Sequence, residues 1–229
     1  PRTDRCLPPR YDAAEAPTQR RKNKEALLSE FALDGGTGPL FAVVSRLAWQ
    51  KGIDLFLEVI PGLVERGARV VLVGTGDEPL EDAVEAAAAR FPGRVGARIA
   101  FDGALARRVY GGADFIVVPS RFEPCGLTQL YAMRYGAIPV VTPVGGLRDT
   151  VLPLDEEGLE GTGLVAAGVD GGSLRLACEE ALEVYGQPAR WAALVRRAMA
   201  RESSWEHAAK SYLALYRELA GQRRWTTPP

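Results

Sequence analysis

The chain has 229 residues, of which 47% are hydrophobic and 25% are charged, and its formal net charge is −1. This is enough apolar material for one large or two small soluble domains. Because Lys and Arg are scattered and nearly balanced by Asp and Glu, the sequence favours neither a nucleic acid nor an anionic membrane as partner.

The cysteines indicate the compartment. Cys6, Cys125 and Cys178 have neither the spacing of a metal site nor that of a disulfide framework, which favours a reducing environment. No signal peptide or apolar membrane span is recognisable in the sequence. Since the chain opens at Pro1 with a polar, proline-rich stretch, we expect it to be part of a larger protein. We predict a linker over residues 1–15, one domain over residues 16–220 and a disordered tail over residues 221–229.

Short apolar runs alternate with stretches of helical periodicity through the predicted domain. The runs predict strands over residues 40–44, 69–73, 98–101, 114–118, 137–141 and 163–166. The helical stretches cover residues 16–31, 53–64, 78–91, 104–110, a helix that opens at 127, and residues 172–185, 188–200 and 204–219. This alternation predicts an α/β fold with a Rossmann-like, doubly wound parallel sheet.

The stretch between the fourth strand and its following helix carries most of the chemistry. In open α/β sheets, ligands bind at this kind of strand-to-helix loop. The N–H groups of Gly126, Leu127 and Thr128 are predicted to be free donors in the first helical turn, able to meet phosphate or sugar oxygens. Glu123, which precedes Pro124, adds a carboxylate beside these donors. Together they suit a polyol that carries a phosphate.

A second strand-to-helix turn contains two cations. Arg46 and Lys51 bracket residues 45–52, between the first strand and its helix. Most surface charges are simply solvated, which is one interpretation of this pair. Two cations beside a helix N-terminus also form a good clamp for a diphosphate.

Other motifs favour structural roles. Residues 74–77 suggest a dinucleotide loop, but they lack the third spaced glycine and follow the second strand rather than the first. His207 has no paired nucleophile, so a histidine-based triad is not supported. Cys125 has no base close in sequence, which favours backbone placement over nucleophilic catalysis. The acidic residues 155–157 are typical of a solvated loop. We therefore predict neither a cofactor nor a metal site.

Four motifs have a specific order and spacing: residues 45–52, with Ser-Arg-Leu and Gln-Lys-Gly; residues 120–131; residues 134–136; and residues 145–151, with Gly-Gly-Leu and Asp-Thr-Val. They resemble bacterial glycogen synthases and plant starch synthases, which are retaining glycosyltransferases of the GT-B fold. The resemblance implies transfer of glucose from ADP-glucose to the non-reducing end of an α-1,4-glucan, without an essential metal. The chain would be the C-terminal, donor-binding lobe, and the acceptor-binding N-terminal lobe is absent from it. A bacterial cytoplasm or a plastid stroma would be its location.

The resemblance also implies roles for individual residues. Arg46 and Lys51 would hold the diphosphate and stabilise the charge on departing ADP, and Glu123 would bind glucose hydroxyls and stabilise positive charge on the sugar. The remaining implied substrate contacts are the backbone of Cys125, Gly126 and Leu127 for glucose hydroxyls, Thr128 for a phosphate oxygen, Phe101 for adenine, and Tyr131, which stands where many related transferases have a ribose-binding glutamate.

Two other functions stay open from the sequence. One is a stand-alone module that binds ADP or ADP-glucose, and the other is a nucleotide-sugar transferase with a different acceptor. We expect the isolated lobe to fold, to bind ADP weakly and to fail in glucan extension, because half of the closing cleft is missing.

Overall fold

In the computed structural model, which describes residues 1–155 and 160–222, six parallel strands form one sheet in the order β3-β2-β1-β4-β5-β6. The strands are β1 (Leu40–Val44), β2 (Arg69–Gly74), β3 (Val95–Ile99), β4 (Phe115–Val118), β5 (Ile138–Val141) and β6 (Leu164–Val165). The connections run from β1 towards β3 on one side and from β4 towards β6 on the other. The predicted Rossmann-like parallel sheet is confirmed.

The helices alternate with the strands as the apolar periodicity predicts. They are α1 (Ala16–Glu30), α2 (Ile53–Glu65), α3 (Glu78–Arg90), α4 (Gly103–Gly112), α5 (Thr128–Tyr135), α6 (Gly145–Thr150), α7 (Gly171–Tyr185), α8 (Pro188–Ala200) and α9 (Trp205–Gln222). Asp102 caps α4 by accepting hydrogen bonds from the N–H groups of Ala104 and Leu105. None of the helices over the described residues is long and apolar enough to cross a membrane.

The sheet is buried on both faces, and strand β1 shows why its sequence is apolar throughout. Phe41 and Val43 pack into a core with α2, α7 and α8. Leu40 and Ala42 point to the opposite face and pack into a second core with α1, α4 and α6. Since successive side chains of a strand alternate between faces, a sheet covered twice requires continuous apolar runs.

The first residues of the chain lie against the domain. Tyr11 is buried, and its hydroxyl donates a 2.8 Å hydrogen bond to the carbonyl oxygen of Tyr135 at the end of α5. Arg20 on α1 donates to carbonyl oxygens at the ends of α4 and α5, including those of Gly111 and Ala113. Helix ends leave such carbonyls without intrahelical partners. Residues 1–15 therefore follow the surface of the domain, while the domain limits at 15 and 220 stay predictions.

Two predicted boundaries differ from the structure by three residues, and the others by one or two at most. The third strand is Val95–Ile99, not residues 98–101, because it pairs with β2 from Val70–Val95 to Gly74–Ile99. The predicted strand included the apolar residues Ala100 and Phe101, which follow this edge strand in the structure. Helix α9 extends to Gln222, beyond the predicted end at 219 and into the predicted tail. Residues 223–229 of that tail, and residues 156 and 157 of the acidic run, lie outside the described residues.

Candidate active site

The candidate site lies at the carboxyl ends of β1 and β4, where the chain connections diverge to opposite sides of the sheet. Open α/β sheets bind ligands in the crevice at this switch point. Loop 45–52 follows β1 and loop 119–127 follows β4. The two loops touch at Gly52, which has φ of +65° and where a Cβ would lie 1.9 Å from the carbonyl oxygen of Pro119. A glycine at this position allows the loops to meet.

An ion pair joins the two loops. Lys51 Nζ lies 2.6 Å from Glu123 Oε2, and the Ser120 hydroxyl is 3.4 Å from the same oxygen. The Glu123 side chain is 12% exposed and that of Lys51 is 27% exposed. Within the described residues these are the only hydrogen bonds of the two side chains, so both keep unused donors or acceptors. A ligand that enters the crevice can therefore engage both ends of the pair.

Arg46 lies on the same loop but points elsewhere. Its guanidinium donates a 2.9 Å hydrogen bond to the side-chain oxygen of Gln50, and both residues are exposed. The structure thus brings Lys51 and Glu123 into contact, whereas Arg46 lies at the rim of the same crevice. Its predicted role with a diphosphate stays a prediction.

Loop 119–127 ends at the N-terminus of α5 as predicted. The N–H groups of Gly126, Leu127 and Thr128 donate no hydrogen bond to any part of the chain that the structure describes. They are the first-turn donors that a helix leaves free for an anion or a sugar oxygen. The Cys125 side chain is exposed.

The residue that braces this loop, Gln129, was not predicted. Its side chain is fully buried, and Nε2 lies 3.0 Å from the carbonyl oxygen of Cys125, 2.9 Å from that of Gly126 and 2.9 Å from the hydroxyl of Thr150. Gly126 has φ of +74°, and a Cβ there would lie 2.5 Å from Gln129 Oε1. In the sequence, Gln129 is an ordinary polar residue in the first turn of a helix, so no signal marks its function.

Two glycines at the start of α6 pack against loop 119–127. The N–H group of Gly146 donates a 2.9 Å hydrogen bond to the carbonyl oxygen of Glu123. A Cβ on Gly145 would lie 2.2 Å from that oxygen, and one on Gly146 would lie 2.1 Å from the carbonyl oxygen of Cys125. The sequence marks this pair as a strand-to-helix turn, but its contact with Glu123 required the fold.

Residues 74–77 also pack against a site loop. The N–H group of Leu47 donates to the carbonyl oxygen of Thr75, and that of Asp77 donates to the carbonyl oxygen of Leu47. A Cβ on Gly74 or on Gly76 would lie about 2 Å from a carbonyl oxygen of loop 45–52. These glycines therefore allow a close approach of two backbones.

The two aromatic residues of the prediction stand away from the ion pair. Phe101 is almost fully exposed, two residues beyond the end of β3 and at the same edge of the sheet as the loops. Tyr131 is half exposed on α5, and its ring centroid lies 6.0 Å from that of Tyr110. Neither has a described contact with Lys51 or Glu123, and both roles stay predictions.

A cavity of about 950 Å³ lies elsewhere, between α1 and helices α7 and α8. Its lining includes Asp114, which precedes β4 and so stands at the opposite edge of the sheet, and it includes none of the predicted site residues. Over residues 1–155 and 160–222, no three side chains of His, Cys, Asp or Glu converge as metal ligands. Metal-free chemistry stays a prediction.

Comparisons with known proteins identify the family. The family model described as "Glycosyl transferases group 1" matches residues 38–183, which span both site loops. The chain belongs to this family. This glycosyltransferase chain is 46% identical over 225 residues to a glycogen synthase of Novosphingobium aromaticivorans and 45% identical over 223 residues to one of Rhodopseudomonas palustris. The matches cover 97% and 96% of the chain and 46% of each relative, so the chain spans about half the length of these curated relatives.

Solved structures agree with the sequence comparison. The catalytic domain of starch synthase IV from Arabidopsis thaliana, bound to ADP and acarbose, superimposes with a TM-score of 0.88 at 31% identity. The match covers 95% of this chain and 46% of that one. A sucrose-phosphate synthase from Thermosynechococcus elongatus, 24% identical with a TM-score of 0.63, shares the fold over 87% of this chain and 49% of its own. The predicted resemblance to glycogen and starch synthases, and with it the GT-B lobe fold, is confirmed.

Proposed function

We propose that this chain is the donor-binding half of a glycogen or starch synthase. The complete protein would transfer glucose from ADP-glucose to the non-reducing end of an α-1,4-glucan with retention. The observation that carries the proposal is the 2.6 Å contact between Lys51 and Glu123 at the switch point of the sheet, beside the free N–H groups that open α5. A cation, a carboxylate and amide donors in one crevice match the parts of a nucleotide sugar.

The Lys51 ammonium acts on the phosphate side of the donor. When a diphosphate enters, the unused N–H donors of Lys51 contact its oxygens, and Arg46 supplies a second positive charge from the rim. Negative charge accumulates on ADP as the bond to glucose breaks. Fixed cations stabilise that developing charge most strongly where the environment is already oriented and partly dry.

The Glu123 carboxylate acts on the sugar side. Its free acceptor capacity binds glucose hydroxyls, and its negative charge opposes the positive charge that develops on the sugar ring. The N–H groups at Cys125, Gly126 and Leu127 hold other hydroxyls, and that of Thr128 meets a phosphate oxygen. Because Gln129 and the glycines at 145 and 146 brace this loop, the donors are oriented before the substrate arrives.

The nucleoside would lie along the same edge of the sheet. The exposed ring of Phe101 offers a flat apolar surface for adenine, and the half-exposed Tyr131 would be available to the ribose. ADP is one of the two molecules held by the starch synthase IV structure, which supports a nucleotide as a ligand of the complete protein.

The acceptor would come from outside this chain. The match to less than half of each glycogen synthase suggests that a second lobe completes the cleft and binds the glucan. No cofactor and no metal take part in the proposed reaction, and its location would be a bacterial cytoplasm or a plastid stroma. On its own, the 229-residue chain would bind ADP and leave the glucan unextended.

The decisive test is the rate of glucan extension by the complete protein that carries this chain, measured with ADP-glucose and with UDP-glucose. We expect faster extension with ADP-glucose and no loss of rate in excess EDTA. Extension with another nucleotide sugar alone would favour the alternative transferase, and calorimetric ADP binding without any transfer would favour the stand-alone module. Fast extension by the 229-residue chain itself would show that the acceptor site has been misplaced.

A further inference from the structure

A second charged pair links loop 119–127 to the first turn of α2, which directly follows loop 45–52: Arg121 and Asp54. The Arg121 guanidinium makes two 2.7 Å hydrogen bonds with the two carboxylate oxygens of Asp54. It also donates a 2.9 Å hydrogen bond to the carbonyl oxygen of Trp49 and lies over the Trp49 ring at 4.7 Å from its centroid. The Arg121 backbone N–H donates to the carbonyl oxygen of Gln50 at 2.8 Å.

The positions of these residues connect the pair to the reacting groups. Arg121 stands two residues before Glu123 on loop 119–127, and Asp54 stands three residues after Lys51, in the first turn of α2. Trp49 and Lys51 belong to the same single turn of 3₁₀ helix. Within the described residues, the groups that Arg121 hydrogen-bonds or stacks on therefore lie within three residues of Lys51.

We propose that Arg121 and Asp54 form a clamp that sets the distance and orientation of Lys51 relative to Glu123. Arg121 and Asp54 are positioning residues, since the clamp itself contacts neither phosphate nor sugar. A bidentate Arg–carboxylate pair is suited to this task because its planar fork fixes direction as well as distance. The inference deepens the proposed function and rests on it.

Stability alone does not account for the arrangement. Both side chains are partly exposed, and exposed ion pairs contribute little to the free energy of unfolding. Misplacing a catalytic group by about 1 Å can cost about 100-fold in rate, even when the substitution lies outside the reacting groups. The effect of the clamp should therefore appear in turnover rather than in the melting temperature.

A matched pair elsewhere in the chain provides the control. Arg108 on α4 also makes a bidentate contact with a carboxylate, that of Glu30 at 2.9 and 2.7 Å, and both side chains are partly exposed. This pair joins α4 to α1, and neither residue belongs to the site loops. Its alanine variants measure what the loss of such a pair costs when no site depends on it.

The experiment is a double-mutant cycle in the complete protein with Arg121→Ala, Asp54→Ala and the double variant, beside the same set at Arg108 and Glu30. We expect each clamp substitution to lower kcat by about 10- to 100-fold, with KM for the donor changed by less than about threefold. The double variant should be no slower than the slower single variant. All variants should melt within a few degrees of the parent, and the control set should keep the parental kcat.

Two kinetic results would overturn the clamp. Unchanged turnover in folded variants would show that Lys51 and Glu123 keep their geometry without it. Multiplicative losses would show that Arg121 and Asp54 act independently. Hydrogen exchange gives a readout that needs no reaction: in the 229-residue chain, the Arg121 amide should exchange faster in Asp54→Ala than in the parent, and unchanged exchange would also contradict the clamp.

The outcome for the clamp can be separated from that for the proposed function. If the parent uses another donor or acceptor, the proposed function fails. The clamp is then still tested, because kcat is compared with the substrate that is active and the exchange measurement needs no substrate. If the parent extends glucan from ADP-glucose but the clamp variants match it, the clamp alone fails.

Discussion

The same strand, β4, has a lysine–carboxylate pair at each end, and the two pairs differ in what surrounds them. Asp114 precedes the strand, and its Oδ2 lies 2.5 Å from Lys24 Nζ. The lysine also donates to the carbonyl oxygen of Gly38 at 2.8 Å and to the hydroxyl of Tyr185 at 3.1 Å, while Asp114 accepts a 2.8 Å hydrogen bond from the N–H group of Leu40. The side chains of Lys24 and Asp114 are 11% and 12% exposed.

The pair after the strand is less completely surrounded. Lys51 and Glu123 approach as closely, but within the described part of the chain Glu123 has one further contact, the Ser120 hydroxyl at 3.4 Å, and Lys51 has no other hydrogen bond. An ammonium has three donors and a carboxylate has about four acceptor sites. We call the first pair the closed pair, because the protein supplies its other hydrogen-bond partners. We call the second the open pair, because it keeps donors and acceptors for a ligand. The two pairs differ in the hydrogen-bond partners around them and not in the distance between the charged groups.

The largest effect predicted by this comparison is on stability, at the closed pair. Lys24→Met leaves the buried Asp114 carboxylate without its countercharge, so we expect the free energy of unfolding to fall by about 3–5 kcal/mol. Urea denaturation of the 229-residue chain measures this loss. Lys51→Met should lower the free energy of unfolding by less than Lys24→Met does, because Lys51 is more exposed than Lys24 and Glu123 keeps acceptor sites that water can reach. Equal losses would mean that both pairs serve the fold alike.

The next effect is on turnover, at the open pair. Lys51→Ala removes a fixed cation from the place where ADP departs, and we expect the activation free energy to rise by about 3 kcal/mol, or roughly 100-fold in kcat. The assay is glucan extension by the complete protein with ADP-glucose. Lys22→Ala, an exposed lysine on α1, is the control and should keep the parental rate. A folded Lys51→Ala protein with parental turnover would remove Lys51 from the mechanism.

Substitution of Gln129, which holds loop 119–127 near the open pair, should have a smaller effect, on both stability and ligand binding. Gln129→Met keeps the length of the side chain but removes the amide that contacts the carbonyl oxygens of Cys125 and Gly126. A fully buried acceptor left without a donor costs about 1–3 kcal/mol, and these contacts are part-buried, so stability should fall by no more than that. ADP affinity, measured by calorimetry, should fall as well, because the N-terminus of α5 loses its fixed position. Parental ADP affinity in the variant would limit Gln129 to a structural role.

The parts of this site that local sequence signals define could be predicted, and the parts that depend on contacts between distant residues could not. The strand-to-helix loops with Lys51 and Glu123 could be located because apolar runs, turn residues and helix starts are local signals. The order of the strands, which brings those loops together, depends on which strands pair, and local patterns in the sequence do not determine it. The edge strand β3 was misplaced because an edge strand is less completely buried and its apolar pattern is weak.

The supporting residues could not be identified from local patterns at all. Arg121 and Asp54 are 67 positions apart, and each is an unremarkable charge in its own segment. Gln129 and the glycines at 145 and 146 also act through contacts with distant backbone. Such partners become visible only when packing has fixed their neighbours, whereas the groups that face a ligand stand at positions that the topology of an α/β sheet already favours.

The smallest predicted effect concerns acid stability at the clamp. The Arg121 guanidinium, which donates two hydrogen bonds to Asp54, holds the pKa of that carboxyl below its usual range. The unfolded value is about 3.9. A carboxyl whose pKa is lower in the folded state stabilises the fold at pH values above the unfolded pKa, and this contribution is lost as the pH falls through the folded pKa. The Asp54 side chain is 38% exposed, so solvent and salt weaken the effect.

The measurement is the free energy of unfolding of the 229-residue chain between about pH 2 and pH 6, at low and at high salt, with the unfolded pKa near 3.9 as reference. We expect Asp54→Asn to lose part of the acid-side slope that the parent shows at low salt, and high salt to reduce the difference between the two proteins. Above about pH 5 the slopes should coincide, because Asp54 is ionised in both the folded and the unfolded parent. An identical acid slope in the two proteins would show that Arg121 orients Asp54 without stabilising its charge. The clamp would then hold the loops through the contacts of Arg121 with Trp49 and Gln50.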